Sequence, residues 1–138
     1  MARMSEQEMQ TFLDEPRIGH MVTLQADGSP QAAPIWYEYR DGQFQVWTDR
    51  FTRRFKNISG DPRVSLSIAS EDEPYRYVTA ECAVTVRESD VEASALSIAV
   101  RYQGAERGTA FVEEYHKDGE SVLLVLTPSK LVARKNDD

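Results

Sequence analysis

The chain has 138 residues, the size of one compact domain, and 41% of them are apolar, which is enough to build a core. Its formal net charge of −7 argues against DNA and RNA as partners, because binding those polyanions rests on broad basic surfaces. No apolar run approaches the ~20 residues that a bilayer span needs, and Cys82 is the only cysteine, which excludes an internal disulfide framework and a multi-cysteine metal site.

Ser5 followed three positions later by Glu8 reads as the capping box of a helix whose apolar stripe is Met9, Phe12 and Leu13, and Pro16 stops it. The same segment, with Glu6, Glu8 and Asp14 and no apolar h-region, is not a signal peptide, so a cytoplasmic location is expected. Residues 18–25 turn to a strand pattern, and Asp27-Gly28-Ser29-Pro30 reads as a hairpin turn into a second strand at 31–40. Asp41-Gly42 is another hairpin signal, followed by a third strand at 43–48 that alternates Phe44 and Val46 with Gln45 and Trp47. Residues 49–60 break the alternation: Phe55 and Ile58 recur at helical spacing, and Gly60-Asp61-Pro62 ends the segment.

Val64, Leu66 and Ile68 then alternate with Ser65, Ser67 and Ala69 as a strand with one polar face. After a charged loop at 71–74 the spacing predicts a long strand over 75–87. A helix over 91–102 follows, with Ser89-Asp90 as its cap, then a basic loop from Gly104 to Gly108 and a short helix at 109–116. A last strand begins at 121 and runs beyond Pro128 to about 134. Six strands joined by short connections imply a mainly β, antiparallel, closed or partly closed barrel in a single domain, 1–138. So small a barrel fills its own interior with side chains, which puts any ligand outside it or between subunits.

Three stretches carry candidate chemistry. In Trp47-Thr48-Asp49-Arg50-Phe51-Thr52-Arg53-Arg54-Phe55-Lys56-Asn57, four cations (Arg50, Arg53, Arg54, Lys56) gather in an otherwise acidic chain where a strand hands over to a helix. Helix-start N–H groups, a Thr52 hydroxyl and two guanidinium forks make a site for a compact phosphate; a solvated basic turn paired with nearby carboxylates is the plainer alternative. In Ala33-Pro34-Ile35-Trp36-Tyr37, adjacent aromatics on a strand send one ring to the core and one outward. The outward ring serves either as a support for a planar ligand or in ordinary packing. Tyr75-Arg76-Tyr77-Val78 places two tyrosines on one face and Arg76 on the other, which by itself is a cross-strand cluster.

Together and in this order, the three stretches resemble the pyridoxamine 5'-phosphate oxidase-like superfamily of FMN-binding split barrels. They are most similar to its branch of deazaflavin-dependent reductases, which use coenzyme F-420. The resemblance covers nearly the whole chain and rests on Asp27-Gly28-Ser29-Pro30-Gln31 with Pro34-Ile35-Trp36, Trp47-Thr48-Asp49-Arg50 followed by Thr52-Arg53-Arg54 and Asn57, Asp61-Pro62-Arg63-Val64, and Tyr75-Arg76-Tyr77-Val78. It implies a six-stranded antiparallel split β-barrel working as a homodimer. Thr52, Arg53, Arg54 and Asn57 would hold the cofactor phosphate, and Arg50 and Lys56 match that role less firmly. The ring would lie along Pro34, Ile35 and Trp36 and against the Trp47-Thr48 backbone. Tyr75, Arg76 and Tyr77 would contribute from the second subunit.

The activity implied is hydride transfer from reduced coenzyme F-420 to a small organic acceptor. FMN-dependent oxidase or reductase chemistry, and turnover-free binding of flavin, deazaflavin or heme, stand as alternatives. No catalytic side chain is assigned. His20 and His116 lack acidic partners at ligand spacing, so no metal site is expected, and Cys82, mid-strand, reads as a small apolar residue.

Overall fold

The computed structural model describes residues 1–116 and 119–136. After a two-residue strand β1 (Ala2–Arg3), helix α1 (Glu6–Asp14) opens with the expected capping box. The Glu8 N–H donates to Ser5 Oγ at 3.1 Å, and the Ser5 N–H donates to Glu8 Oε1 at 2.9 Å. The Lys135 ammonium, and then that backbone bond, hold the Glu8 carboxyl well below its usual range, at about 2. Phe12 and Leu13 turn into the core.

Strands β2 (Gly19–Leu24) and β3 (Pro30–Ile35) form the first hairpin, and β4 (Glu38–Arg40) and β5 (Gln43–Asp49) the second. Asp41 and Gly42 sit at φ 53° and 77°, the pair of positive angles that a two-residue I′ turn demands. The single strand expected at 31–40 is interrupted at Trp36-Tyr37, because partners from far along the chain satisfy the Tyr37 backbone. Its N–H donates to the Tyr102 hydroxyl at 3.1 Å, and its carbonyl accepts from Arg101 Nε at 3.0 Å. With both groups paired, the residue needs no ladder neighbour, and the chain crosses from one edge of the sheet to the other.

Helix α2 (Arg53–Gly60) leads into β6 (Arg63–Ala69), whose burial alternates strictly. The long β7 (Arg76–Arg87) pairs with β8 (Ser121–Lys135). A register shift at Glu81/Cys82 puts Cys82 opposite Pro128, a bulge that accommodates the residue lacking an N–H. Between these strands lie α3 (Val91–Gln103) and α4 (Ala105–Tyr115).

Two expectations fail at this hairpin. Asp90 is left-handed, at φ 53°, and its side chain makes no cap bond. Residues 105–108 belong to α4 instead of a loop, the break being Gly104 alone at φ 87°.

Strand order is β3-β2-β6-β7-β8-β5-β4, with β1 on β8. The sheet thus has eight strands, six long ones plus the short β1 and β4, and its edges β3 and β4 do not pair, so the barrel is split. A single cluster including Phe12, Met21, Tyr37, Phe44, Leu66 and Leu126 fills its interior. No helix among the described residues is long and apolar enough to cross a membrane.

Candidate functional site

With the interior filled, an aromatic-walled hollow lies outside the sheet, where α3 and α4 lean over β3 and β5. It measures about 380 Å³ and is walled by Pro34, Ile35, Trp36, Trp47 and Arg54, five residues singled out from the sequence. Tyr37 points into the core, fully buried, while Trp36 faces the hollow, the expected division of the aromatic pair. Ile18, Ile98 and Phe111 complete the wall. Sequence reasoning missed these three, since a lone apolar residue before a strand (Ile18) or on a helix face (Ile98, Phe111) carries no sign of what it covers.

Trp36 is itself supported: its ring stacks on Tyr102 at 4.9 Å and 7° and lies 5.6 Å from Phe111. Phe111 also meets Trp47 edge-on at 5.8 Å and 81°.

Arg54 is the only charged side chain lining this hollow among the described residues. Its Nε donates to the buried Thr48 Oγ1 at 2.9 Å, which fixes the guanidinium in an aromatic setting. Burial pushes its pKa down and the Asp49 carboxylate opposes the shift; the group remains a cation.

The other members of the basic turn point elsewhere. Arg53, one helical position earlier, reaches the β2–β3 hairpin, donating to Gln25 Oε1 at 3.0 Å. Asn57 lies one turn on from Arg53 and is buried, its Nδ2 donating to Thr23 Oγ1 at 3.0 Å and Gln31 Oε1 at 2.9 Å. Arg50 is paired with Glu88 at 3.0 Å, and Lys56 is exposed.

Thr52 is the N-cap of α2: its hydroxyl accepts from the Phe55 N–H at 3.2 Å and donates to the Asp49 carbonyl at 3.0 Å. The N–H groups of Arg53 and Arg54 belong to the first turn, which no intrahelical carbonyl can satisfy.

Tyr75, Arg76 and Tyr77 stand apart from the hollow. The two tyrosine rings lie 5.9 Å apart. Arg76 donates to the Pro74 carbonyl at 3.1 Å, pairs with Asp72 at 3.5 Å and lies 5.3 Å from the Phe12 ring. Neither histidine lines the hollow: His20 is exposed on β2, and His116 bonds through Nδ1 to Ser121 Oγ.

Cys82 is buried, and burial pushes its thiol up to about 11. Iodoacetamide at pH 8 is therefore expected to leave the native protein unlabelled and to alkylate it only in denaturant. Mass spectrometry showing rapid native labelling would contradict this.

The wall fits a planar ring carrying a phosphate. Its volume falls in the ligand-site range of roughly 300–1,000 Å³, its faces are aromatic, and one cation sits beside first-turn N–H groups that attract anions. A buried indole donor, Trp47 Nε1, has no partner among the described residues.

An antiparallel sheet with unpaired edges, a filled interior and a ring-sized cleft outside it defines a split β-barrel. The sequence pattern of the pyridoxamine 5'-phosphate oxidase family matches residues 5–135, and the chain belongs to that family. No curated protein sequence matches it.

Among solved structures it is similar to an F-420 reductase, at 24% identity and a TM-score of 0.76, covering 88% of this chain and 94% of that one. A conserved hypothetical protein of Mycobacterium tuberculosis matches at 24% identity and 0.83, covering 96% and 85%. The heme storage protein HutZ of Vibrio cholerae matches at 20% identity and 0.71, covering 93% and 94%. At these identities the likeness is one of fold.

Proposed function

We propose that the chain binds coenzyme F-420 in the cleft between β3, β5 and the α3–α4 hairpin and serves as an oxidoreductase for a small organic acceptor. The observation that carries this is Arg54, a cation fixed by Thr48 in an aromatic, ring-sized hollow at the start of α2. Arg54, beside the free first-turn N–H groups of α2, holds the phosphate, and Pro34, Ile35, Trp36 and Trp47 receive the ring. The bound deazaflavin supplies hydride.

The protein's part is to bind and orient. Tyr102 is not its proton donor: the hydroxyl already donates to the Arg17 carbonyl at 2.7 Å, and burial raises its pKa. Solvent is assigned that role.

Tyr75 and Ile18, both 42% exposed, suit burial against a second copy in a cytoplasmic homodimer, whose Tyr75, Arg76 and Tyr77 strand would close the cleft.

Parallel fluorescence titrations with coenzyme F-420 and FMN test the reading, followed by oxidation of reduced F-420 with a panel of enones and quinones. Tighter F-420 binding with enzyme-dependent oxidation is expected. Tighter FMN binding favours a flavin oxidase or reductase, and binding without turnover across the panel favours a carrier.

A further inference from the structure

Trp47 is the residue of the cleft wall whose polar atom has left water without compensation. Its Nε1 is buried with no hydrogen-bond partner among the described residues, whereas buried donors in folded proteins are nearly always paired. None of the described polar groups around it supplies an acceptor. Arg54 has only donors, and Thr48 Oγ1 already accepts from it and lies 3.2 Å from Thr52 Oγ1. An orphaned donor costs stability in the ligand-free fold, and one at the wall of a cleft points to an acceptor that arrives with a ligand.

Phe111 decides how that acceptor reaches it. Its ring packs edge-on against the indole, and both line the cleft. Phe111 is only partly buried and belongs to the small cluster under α3 and α4, not to the barrel core. Its neighbour Tyr115, 4.6 Å away, is 54% exposed. A turn of the Phe111 ring away from the indole therefore leaves the barrel core untouched.

We infer that Trp47 is a ligand-recognition residue: with Phe111 turned aside, its indole N–H donates to a ring carbonyl of the bound ligand. The pyrimidinedione edge common to flavins and deazaflavins presents an acceptor of that class. The inference rests on the reading that such a ring occupies the cleft.

Trp47→Phe keeps an aromatic ring and deletes the donor. Wild type and variant are titrated with F-420 and with FMN, and both are melted without ligand. The variant is expected to bind roughly fivefold to tenfold more weakly, while a cooperative ligand-free melt shows that it folds. The chain has two tryptophans, so NMR of the wild type adds a direct readout. The indole N–H signal that is absent from Trp47→Phe should move downfield at saturation.

Equal affinities together with an unmoved indole signal overturn the inference alone. Failure of the wild type to bind either ligand overturns the proposed function, and this inference with it.

Discussion

Arg54→Ala is expected to weaken cofactor binding by roughly tenfold to a hundredfold, the loss of one charge-assisted hydrogen-bonding group of about 1.5–3 kcal/mol. The effect is large because Arg54 is half-buried, where water competes poorly for the ligand's phosphate. The fold should survive, since Thr48 Oγ1 keeps Thr52 Oγ1 at 3.2 Å when Arg54 is gone. Arg53→Ala should cost much less: that side chain is exposed and bonded to a neutral Gln25, and exposed charges are screened. Arg54→Lys should recover only part of the loss, because an ammonium cannot bond Thr48 through Nε and offer a planar fork at once. Fluorescence titration at fixed ionic strength ranks the three variants. Wild-type affinity in Arg54→Ala would place the anion elsewhere.

That ranking separates two residues which the sequence offers as one. In Thr52-Arg53-Arg54 the side chains are adjacent, but on a helix neighbours point about 100° apart. One reaches the β2–β3 hairpin and the other enters the cleft.

The legible features elsewhere were local ones. The capping box at Ser5 and Glu8, the Asp41-Gly42 turn and the alternation of Val64, Leu66 and Ile68 each depend on contacts within a few residues or on one buried face. What escaped reading depends on distant partners. The strand break at Trp36-Tyr37 is made by Arg101 and Tyr102, some 65 residues away. Arg101 also donates to the Leu13 and Glu15 carbonyls at 2.9 and 3.1 Å, tying the end of α1 to α3. Phe111 became part of the site through a helix crossing that no short spacing announces.

That crossing turns on Gly108, which looks like a loop glycine in sequence. It is buried in α4, and a Cβ there would fall 2.7 Å from the Val100 nitrogen and 2.8 Å from the Ala99 carbonyl carbon. These are backbone atoms of α3, unable to rotate away, so a side chain at 108 must force the two helices apart. The small residues Ala95 and Ala99 with Val112 form the seam that would open. Gly108→Val is accordingly expected to cost about 3 kcal/mol, at the top of the usual overpacking range. In a chain of this length that lowers Tm by roughly 10 °C.

Gly60→Ala is the control, because a Cβ at that helical position meets nothing within 4 Å; it should be neutral or slightly stabilising. Displacing α4 also lifts the hairpin that roofs the cleft, so Gly108→Val should lose ligand affinity even well below its Tm. Calorimetry placing Gly108→Val within about 2 °C of wild type would mean the helices are not in contact at this glycine, and the cleft would lose the element that roofs it.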